Sequence, residues 1–475
     1  MRRTTIVILC LLAGLAVLGG VVVLAITRPE DPSERVSAAT RNLSSSLREA
    51  VSPKGIMEHE RRLQDIARQN GGNRAAGTPG YDASAEYVAQ TLRQADYRVT
   101  VQKFELPVFQ ETEATSLERV SSDAREYDQG ADFALMEYSG DGEVTAKIIP
   151  VDAAEGSSDS GCEAGDFDGF RAGGVALLQR GACTFEQKAR NAEDAGAMAA
   201  LIFDDSPSKS EAFAGTLGEP GTSIPVLGTS YPVGNELLRE ARGGGARVRI
   251  SARTISVSHT TSNVIAETPR GDAGNMVMVG AHLDSVPEGP GINDNGSGSA
   301  TILEIAEQIG EKDIETRNHV RFAFWGAEEL GLVGSQHYVD SLSDSELDRT
   351  SAYLNFDMVG SPNHVRFVYG SEEVTTVFED YFAARNLRST ETLNLAGRSD
   401  HGPFEEAGVP SGGLFSGAGG TKSGDQAETY GGEAGQPYDP CYHAACDDTS
   451  NVDREAVDEM SDAAAHAVAV FAERE

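Results

Sequence analysis

The chain has 475 residues, a length typical of about three domains, and 39% of them are hydrophobic, enough to bury a sizeable core. Aspartate and glutamate outnumber lysine and arginine by 74 to 39, which gives a formal net charge of −35. A chain this acidic repels phosphate backbones and anionic membrane surfaces, which argues against nucleic acid as a partner.

The N-terminus carries a targeting segment. Arg2 and Arg3 precede an uncharged, apolar run of 21 residues, 6–26. Such a run can span the hydrocarbon core as a helix, and the two arginines favour export of the chain beyond it. Residues 23–25 also offer a small-residue cleavage site. We therefore expect residues 1–28 to be a signal peptide or membrane anchor. The protein would be extracytoplasmic, either secreted or anchored by residues 6–26, with no other membrane contact.

Cysteine usage agrees with export. Apart from Cys10, four cysteines remain, and their proximity in sequence favours the disulfides Cys162–Cys183 and Cys441–Cys446. Four buried thiols are one alternative. A four-cysteine zinc site is another, weakened by the lack of any C-x-x-C pair.

The first half of the chain divides by composition. Residues 29–54 are rich in serine and framed by prolines, which predicts a linker. A helix beginning near Gly55, a second helix over 81–95 and a strand over 97–104 open a larger domain. Residues 108–258 are acidic and glycine-rich with short strand-like runs, which indicates a separate, smaller, β-rich α/β domain.

From residue 260 onward, short apolar strands alternate with helices. This alternation predicts an α/β domain with a mainly parallel central sheet flanked by helices. The predicted strands are 276–280, 320–325, 352–356 and 365–369, and the predicted helices are 299–309, 330–342, 374–386 and 454–471.

Polar residues follow three of these strands where each ends. His282 and Asp284 follow the first strand, Glu328 and Glu329 the second, and Asp357 the third. In such sheets ligands bind beyond the carboxyl ends of the strands, so these side chains are candidates for one site.

Two further residues complete a metal-binding pattern. Asp294 lies in a glycine-rich turn, and His443 lies between Cys441 and Cys446. Zinc takes imidazole nitrogen and carboxylate oxygen, and a pair of ions needs a bridging carboxylate. Asp294 is suited to bridge. His282 and Asp357 would then complete one ion, with Glu329 and His443 completing the other.

Two auxiliary roles are indicated by the same spacing. Asp284 lies two residues beyond His282 and can accept the other ring N–H of that imidazole. Glu328 and Glu329 cannot both face one ion, because adjacent side chains diverge. One of the two is therefore left to face the attacking water as a general base.

Six motifs occur in a recognisable order. They are GAHLDS, GINDNGSG, FWGAEELGLVGS, NFDMVG, RSDHGPF and DPCYHAACD. With them, residues 260–475 resemble the secreted double-zinc aminopeptidases of the bacterial leucyl type. Residues 161–205 resemble a protease-associated domain, which that family carries as an insertion. The resemblance implies a zinc-peptidase domain formed by 55–107 and 259–475, with the protease-associated domain at 108–258.

The resemblance also implies individual roles. It implies two zinc ions and, as substrates, peptides or proteins with a free N-terminus. Glu328 would be the general base, Tyr442 would help to hold the oxyanion, and Arg398 would neighbour the substrate cleft. The implied zinc ligands are His282, Asp294, Glu329, Asp357 and His443, with Asp294 bridging.

Three alternatives stay open. A glutaminyl cyclase of the same fold would need only one zinc. A carboxypeptidase would need a cationic clamp for the substrate carboxylate, and Arg398 is the only obvious candidate. A surface receptor without activity is disfavoured, because Glu328 is present together with all five ligand positions.

Overall fold

The computed structural model describes residues 37–475 except 122–123, 154–158, 390–392, 394 and 396. The predicted targeting segment, 6–26, lies outside the described residues. Within the described part of the chain, no helix is both long and apolar enough to cross a membrane.

Helices and strands alternate along the described chain. The helices are α1 (Ala38–Ala50), α2 (Pro53–Gln69), α3 (Pro79–Gln94), α4 (Phe185–Asp194), α5 (Tyr231–Arg242), α6 (Gly298–Glu311), α7 (Val333–Asp340), α8 (Asp344–Leu347), α9 (Glu372–Ala384), α10 (His401–Glu406), α11 (Gly424–Tyr430) and α12 (Arg454–Ala472). The strands are β1 (Arg98–Arg119), β2 (Arg125–Tyr127), β3 (Phe133–Leu135), β4 (Gly142–Pro150), β5 (Val175–Gln179), β6 (Ala199–Phe203), β7 (Val226–Thr229), β8 (Arg247–Glu267), β9 (Asp272–His282), β10 (Asn318–Trp325), β11 (Thr350–Phe356), β12 (Phe367–Gly370) and β13 (Ser411–Phe415).

The chain forms two compact units. One is Glu105–Thr260, and the other combines the chain up to Phe104 with Thr261–Glu475. The second of these, the discontinuous unit, contains every residue that the sequence predicts to be catalytic or metal-binding.

The discontinuous unit is built on a mixed sheet whose centre is parallel. Its strand order is β12-β13-β11-β9-β10-β8. Strands β13, β11, β9 and β10 run parallel to one another, and β12 and β8 pair antiparallel with β13 and β10 at the two sides. The predicted fold class is thereby confirmed for this unit. The carboxyl ends of β9, β10 and β11 meet at one edge, where the functional residues lie.

Apolar helices cover this sheet. Helix α12 packs against β9, β10 and β11, and its alanine and valine side chains are almost all fully buried. Helix α6 packs on β9 and is itself buried over its first nine residues. Strands buried on both faces read as continuous apolar runs, which explains the sequence pattern of β9 and β11. The result is a rigid platform under the site.

The unit Glu105–Thr260 has a smaller sheet of its own. Strands β4, β5, β6 and β7 are parallel to one another, with β3 antiparallel to β7. Helices α4 and α5 follow β5 and β7. Cys162 and Cys183 form a disulfide with Cα atoms 5.8 Å apart, as predicted. These features confirm the predicted smaller α/β domain.

The prediction of a linker over residues 29–54 is wrong for its second part. Helix α1 occupies Ala38–Ala50, begins at the N-cap Ser37 and packs against α12. Leu47 is buried in the main core. The serines of this stretch argued against a helix, because serine is a poor helix former in isolation. Packing of the apolar face against the rest of the unit stabilises the helix despite that low propensity.

Candidate metal centre and active site

His282 is placed by the end of the central strand. It is the last residue of β9 and pairs with Trp325, the last residue of β10. Its ring is buried, and the hydroxyl of Ser299 on α6 donates to its backbone carbonyl at 2.6 Å. Strand pairing and this hydrogen bond therefore fix the backbone position of His282.

Asp294 is held between the two imidazoles. Its Oδ1 lies 3.3 Å from Nε2 of His282, and its Oδ2 lies 3.2 Å from Nε2 of His443. Each carboxylate oxygen thus serves a different histidine. This is the arrangement expected of a carboxylate that bridges two metal ions.

The turn that carries Asp294 is anchored from elsewhere in the chain. The two oxygens of Asp447 accept the backbone N–H groups of Asn293 at 2.9 Å and Asp294 at 3.0 Å. Arg74, fully buried, donates to the carbonyls of Leu283, Pro290 and Gly291. These contacts fix the backbone between His282 and Asp294 without involving the side chains that face the site.

Asp357 directly follows β11 and uses its two oxygens differently. Oδ1 lies 3.3 Å from Nε2 of His282, whereas Oδ2 accepts a hydrogen bond of 2.7 Å from Ser399. Asn355 in turn donates to Ser399 at 2.8 Å. The second oxygen is thereby fixed, and the first is aimed at the histidine.

Glu328 and Glu329 diverge in the way that adjacent side chains must. Glu329 Oε2 lies 3.1 Å from Nε2 of His443, whereas Glu328 Oε2 lies 3.9 Å from Nε2 of His282. The turn after β10 makes this possible, since Ala327 adopts a left-handed φ of 60°. Glu329 therefore pairs with the second histidine, and Glu328 stands near the first at a greater distance.

Asp284 lies close to both glutamates through their backbone. Its oxygens accept the N–H groups of Glu328 at 3.2 Å and of Glu329 at 3.4 Å. Its Oδ1 is 3.7 Å from Nδ1 of His282, beyond hydrogen-bonding range. Support of the imidazole by Asp284 stays a prediction, and the observed contacts assign this residue to the turn.

His443 and Tyr442 form one stacked pair. Their ring centroids are 3.9 Å apart, and the predicted disulfide Cys441–Cys446 closes the loop around them, with Cα atoms 5.3 Å apart. His443 has a left-handed φ of 55°, which is uncommon outside glycine and is found where the surrounding structure imposes it.

The electrostatics of the site are those of a cation-binding centre. Burial would lower the pKa of His282, but the facing carboxylates, Glu328 foremost, raise it well above its ordinary value. Asp294 and Glu329 raise the pKa of His443 to about 10. Burial would raise the pKa of Asp294, yet its contacts with the two imidazoles lower it to about 2. The carboxylates around each imidazole therefore favour a bound positive charge.

Burial has the opposite effect on the pKa values of the two glutamates and of Tyr442, which it raises. Burial raises the pKa of Glu328 well above its ordinary value and that of Glu329 to about 7. Burial, reinforced by the nearby Asp294, also raises the pKa of Tyr442. The phenol is therefore protonated at neutral pH and able to donate a hydrogen bond.

The residues present fit zinc. Ligands at zinc distances of about 2.0–2.2 Å in a tetrahedral arrangement lie about 3.3–3.6 Å from one another. The closest nitrogen–oxygen separations here are 3.1–3.3 Å. Glu329 Oε1 is also buried without a hydrogen-bond partner. Five carboxylates around two imidazoles leave an excess of buried negative charge that divalent cations would neutralise.

A cavity of about 200 Å³ opens onto this cluster. It brings together the five predicted ligands, Glu328, Tyr442 and Arg398, the last exposed at its rim. Its remaining lining is Met358, Leu395, Ser399, Phe415 and Ala418. The walls are thus apolar apart from Ser399 and Arg398, and the floor is acidic.

Sequence reasoning missed the residues that act through the backbone. Arg74, Asp447 and Ser399 contact the turns that carry the candidate ligands, and none of them lies in a metal-binding pattern of its own. Asp400 is fully buried, and burial raises its pKa to about 7. The motif containing Ser399 and Asp400 is visible in the sequence, but their contacts are not.

Comparison with known proteins identifies the family. The model of peptidase family M28 matches residues 263–468, and that of the PA domain matches residues 144–237. An aminopeptidase of Pseudomonas aeruginosa is 44% identical over 86% of this chain and 79% of its own length. The probable lipoprotein aminopeptidase LpqL of Mycobacterium tuberculosis is 40% identical over 92% of this chain and 88% of its own.

A solved structure agrees with these matches. The zinc aminopeptidase BSAP from Bacillus subtilis is 28% identical, covers 88% of this chain and 94% of its own, and aligns with a TM-score of 0.52. The comparisons confirm the predicted resemblance and enzyme class, a metallo-aminopeptidase with an inserted protease-associated domain. The chain belongs to peptidase family M28.

Proposed function

We propose that the protein is an extracytoplasmic two-zinc aminopeptidase that removes N-terminal residues from peptides, with Glu328 as its general base. The observation that carries the proposal is the carboxylate of Asp294, which offers one oxygen to each of two imidazoles. Asp357 completes the ligands around His282, and Glu329 completes those around His443. Two zinc ions held there would polarise the scissile carbonyl and lower the pKa of the attacking water.

The chain's own residues supply the proton transfers. Glu328 is the carboxylate left over when the ligands are assigned, and it lies at the cavity beside His282. It accepts a proton from the attacking water and delivers it to the departing amine nitrogen.

Tyr442 stabilises the developing charge. Its hydroxyl is protonated and its ring is fixed on His443, so it can donate a hydrogen bond to the carbonyl oxygen as that oxygen becomes negative. One such donor contributes about 3 kcal/mol to the transition state.

The substrate's free ammonium is the feature that the acidic floor recognises. Carboxylates around the ligand cluster attract a positive group, whereas an N-acylated peptide offers none. The cavity of about 200 Å³ with Met358, Leu395 and Phe415 in its lining fits a single apolar side chain. A carboxypeptidase would require a cationic clamp for the substrate carboxylate. Arg398, exposed at the rim, is the one arginine or lysine among the described lining residues, so the cavity favours an ammonium over a carboxylate.

Placement outside the cytoplasm rests on three supports. The apolar segment 6–26 follows two arginines, both disulfides form, and a relative 40% identical to this chain bears the name of a lipoprotein. Disulfides persist in oxidising compartments.

The test is a pair of substrates that differ only at the amine. Leucyl-p-nitroanilide should be hydrolysed, and N-acetyl-leucyl-p-nitroanilide should not. Hydrolysis of both at similar rates, or of neither while a C-terminal residue is released from a blocked peptide, would overturn the proposal. Arginyl- and glutamyl-p-nitroanilide serve to rank side chains.

A further inference from the structure

A second group of potential ligands lies outside the active site. His59 on α2 faces Glu304 and Glu307, which are one turn apart on the same face of α6. Nε2 of His59 lies 3.3 Å from Glu307 Oε2 and 3.7 Å from Glu304 Oε2. The side chains of His59 and Glu304 are more than nine-tenths buried, and that of Glu307 is 27% exposed.

The imidazole is aimed at the two carboxylates. Its Nε2 is buried without a hydrogen-bond partner. Its Nδ1 lies 2.6 Å from the hydroxyl of Tyr87 on α3, so the other ring nitrogen is already engaged. The tautomer that carries its hydrogen on Nδ1 and donates it to Tyr87 would present the Nε2 lone pair to the acids. Such outer hydrogen bonds are typical of histidines that ligate metals.

Glu304 divides its two oxygens between separate tasks. Oε1 accepts from the backbone N–H of Ser52 at 3.2 Å and from its hydroxyl at 3.3 Å, at the start of α2. Oε2 is left for His59. Gly55 provides the space for this carboxylate, since a Cβ there would clash with Oε1. A glycine inside a helix destabilises it by about 1 kcal/mol relative to alanine. The close contact between Glu304 and α2 therefore requires a residue that lowers the stability of the helix.

The shorter of the two nitrogen–oxygen separations around His59 falls in the range seen at the active site of the same chain, and the longer one exceeds it. The nitrogen–oxygen separations around His282 and His443 are 3.1–3.3 Å, close to the edge of a tetrahedral zinc shell. Those around His59 are 3.3 and 3.7 Å. The alternative occupant is a proton: although burial opposes it, contacts with Glu304 and Glu307 raise the pKa of His59 to about 10. A proton neutralises one of the two carboxylates, whereas a divalent ion neutralises both.

We propose that His59, Glu304 and Glu307 bind a divalent transition metal ion, with zinc as the best match for one imidazole and two carboxylates. The ion links α2 to α6, the helix that follows the turn carrying Asp294. Water completes the coordination at the side where Glu307 is exposed, and through that side a chelator can reach the ion. This site is independent of the proposed function, because none of its residues lines the active-site cavity.

The experiment counts zinc in the purified full-length protein. Metal-free protein is titrated with Zn²⁺, desalted and measured by inductively coupled plasma mass spectrometry. Glu307→Ala should bind one equivalent fewer than the wild type. Glu311→Ala is the matched control, since it makes the same change one turn further along α6 at an exposed position, and it should bind as much as the wild type.

Two further readouts keep the proposal falsifiable. His59→Gln should also lack one equivalent, and Co²⁺ added to the wild type should give a tetrahedral absorption component that Glu307→Ala loses. A third comparison uses Asp294→Asn, which disrupts the active-site ligands, alone and combined with Glu307→Ala. The double variant should bind one equivalent of zinc fewer than Asp294→Asn alone. This result would support the site at His59 even if the proposed two-zinc active site is wrong. Equal zinc content in the wild type, Glu307→Ala and His59→Gln would overturn the proposal. The cluster would then be an ion pair between a protonated His59 and the two glutamates.

Discussion

The carboxylate of Asp447 accepts the backbone N–H of Asp294 at 3.0 Å, so an acid from the far end of the chain holds the residue that lies between the two imidazoles. The neighbouring N–H of Asn293 binds the other oxygen of Asp447 at 2.9 Å. The position of Asp294 between the two imidazoles is therefore set by its backbone, independently of what its side chain binds.

Replacement of Asp447 by asparagine should weaken the site without touching a ligand. An amide offers one acceptor oxygen where two are used, so one buried N–H loses its partner at a cost of about 1–3 kcal/mol. We expect lower zinc affinity and lower kcat/KM, measured by titration with a chelator and by leucyl-p-nitroanilide hydrolysis. Asp448→Asn is the control, because Asp448 contacts only Ser450 in a surface turn among the side-chain bonds described. Equal effects of the two substitutions would contradict the anchoring role.

Replacement of Tyr442 by phenylalanine should slow catalysis while leaving the metal in place. The ring still stacks on His443, and only the hydroxyl is lost. Removing one donor to an oxyanion costs about 10²–10³ in kcat. We expect that loss with zinc content and KM near those of the wild type. A variant that loses zinc, or one whose kcat is unchanged, would argue against oxyanion stabilisation by Tyr442.

The two disulfides should affect different properties. Cys162→Ser with Cys183→Ser opens a loop of sequence separation 21, which removes about 3 kcal/mol of stability in the chain-entropy model. Its unfolding midpoint in urea should fall, with kcat retained. Cys441→Ser with Cys446→Ser opens a loop of only 5, yet it frees His443 and Tyr442, so zinc retention and kcat should fall most. The reverse pattern would show that the short disulfide does not position the site.

Acid should destabilise the protein through His466. Burial lowers the pKa of this imidazole from 6.5 to about 4, and Ser44 of α1 lies 2.8 Å from its Nδ1. The unfolded chain binds this proton first, so stability is complete above about pH 6.5 and falls as the pH decreases towards 4. The slope can reach about 1.4 kcal/mol per pH unit.

The measurement is the free energy of unfolding in urea from pH 4 to pH 7. His466→Gln keeps a polar group beside Ser44 but does not titrate, so its profile should be flatter than that of the wild type over this range. Parallel profiles for the two proteins would assign the acid sensitivity to other groups.

The clustering of the candidate metal ligands could be predicted from sequence, because three of the five follow regular strands. His282, Glu329 and Asp357 lie where buried strands end, and parallel strands bring those ends together. Asp294 and His443 lie outside the strands, and they were predicted from a glycine-rich turn with one acid and from a loop between two nearby cysteines. The central sheet is predicted by its continuous apolar runs in the same way.

The supporting residues could not be predicted, because their partners are backbone groups distant in sequence. Nothing in the sequence around Arg74 or Asp447 shows that they bind the turns at 283–294. Helix α1 was missed since its serines resemble a linker, and its stability comes from packing on α12. His59 gives no metal-binding signal in the sequence, as its acidic partners on α6 lie about 250 residues away and have ordinary helical spacing.

A pair of isosteric variants separates the role proposed for Glu328, the general base, from that proposed for Glu329, a zinc ligand. Zinc content and kcat for leucyl-p-nitroanilide would be measured for Glu328→Gln and Glu329→Gln beside the wild type. We predict that Glu328→Gln keeps the wild-type zinc content and loses about 10²–10⁴ in kcat, whereas Glu329→Gln holds less zinc. Near wild-type activity in Glu328→Gln, or loss of zinc from that variant and not from Glu329→Gln, would contradict the account.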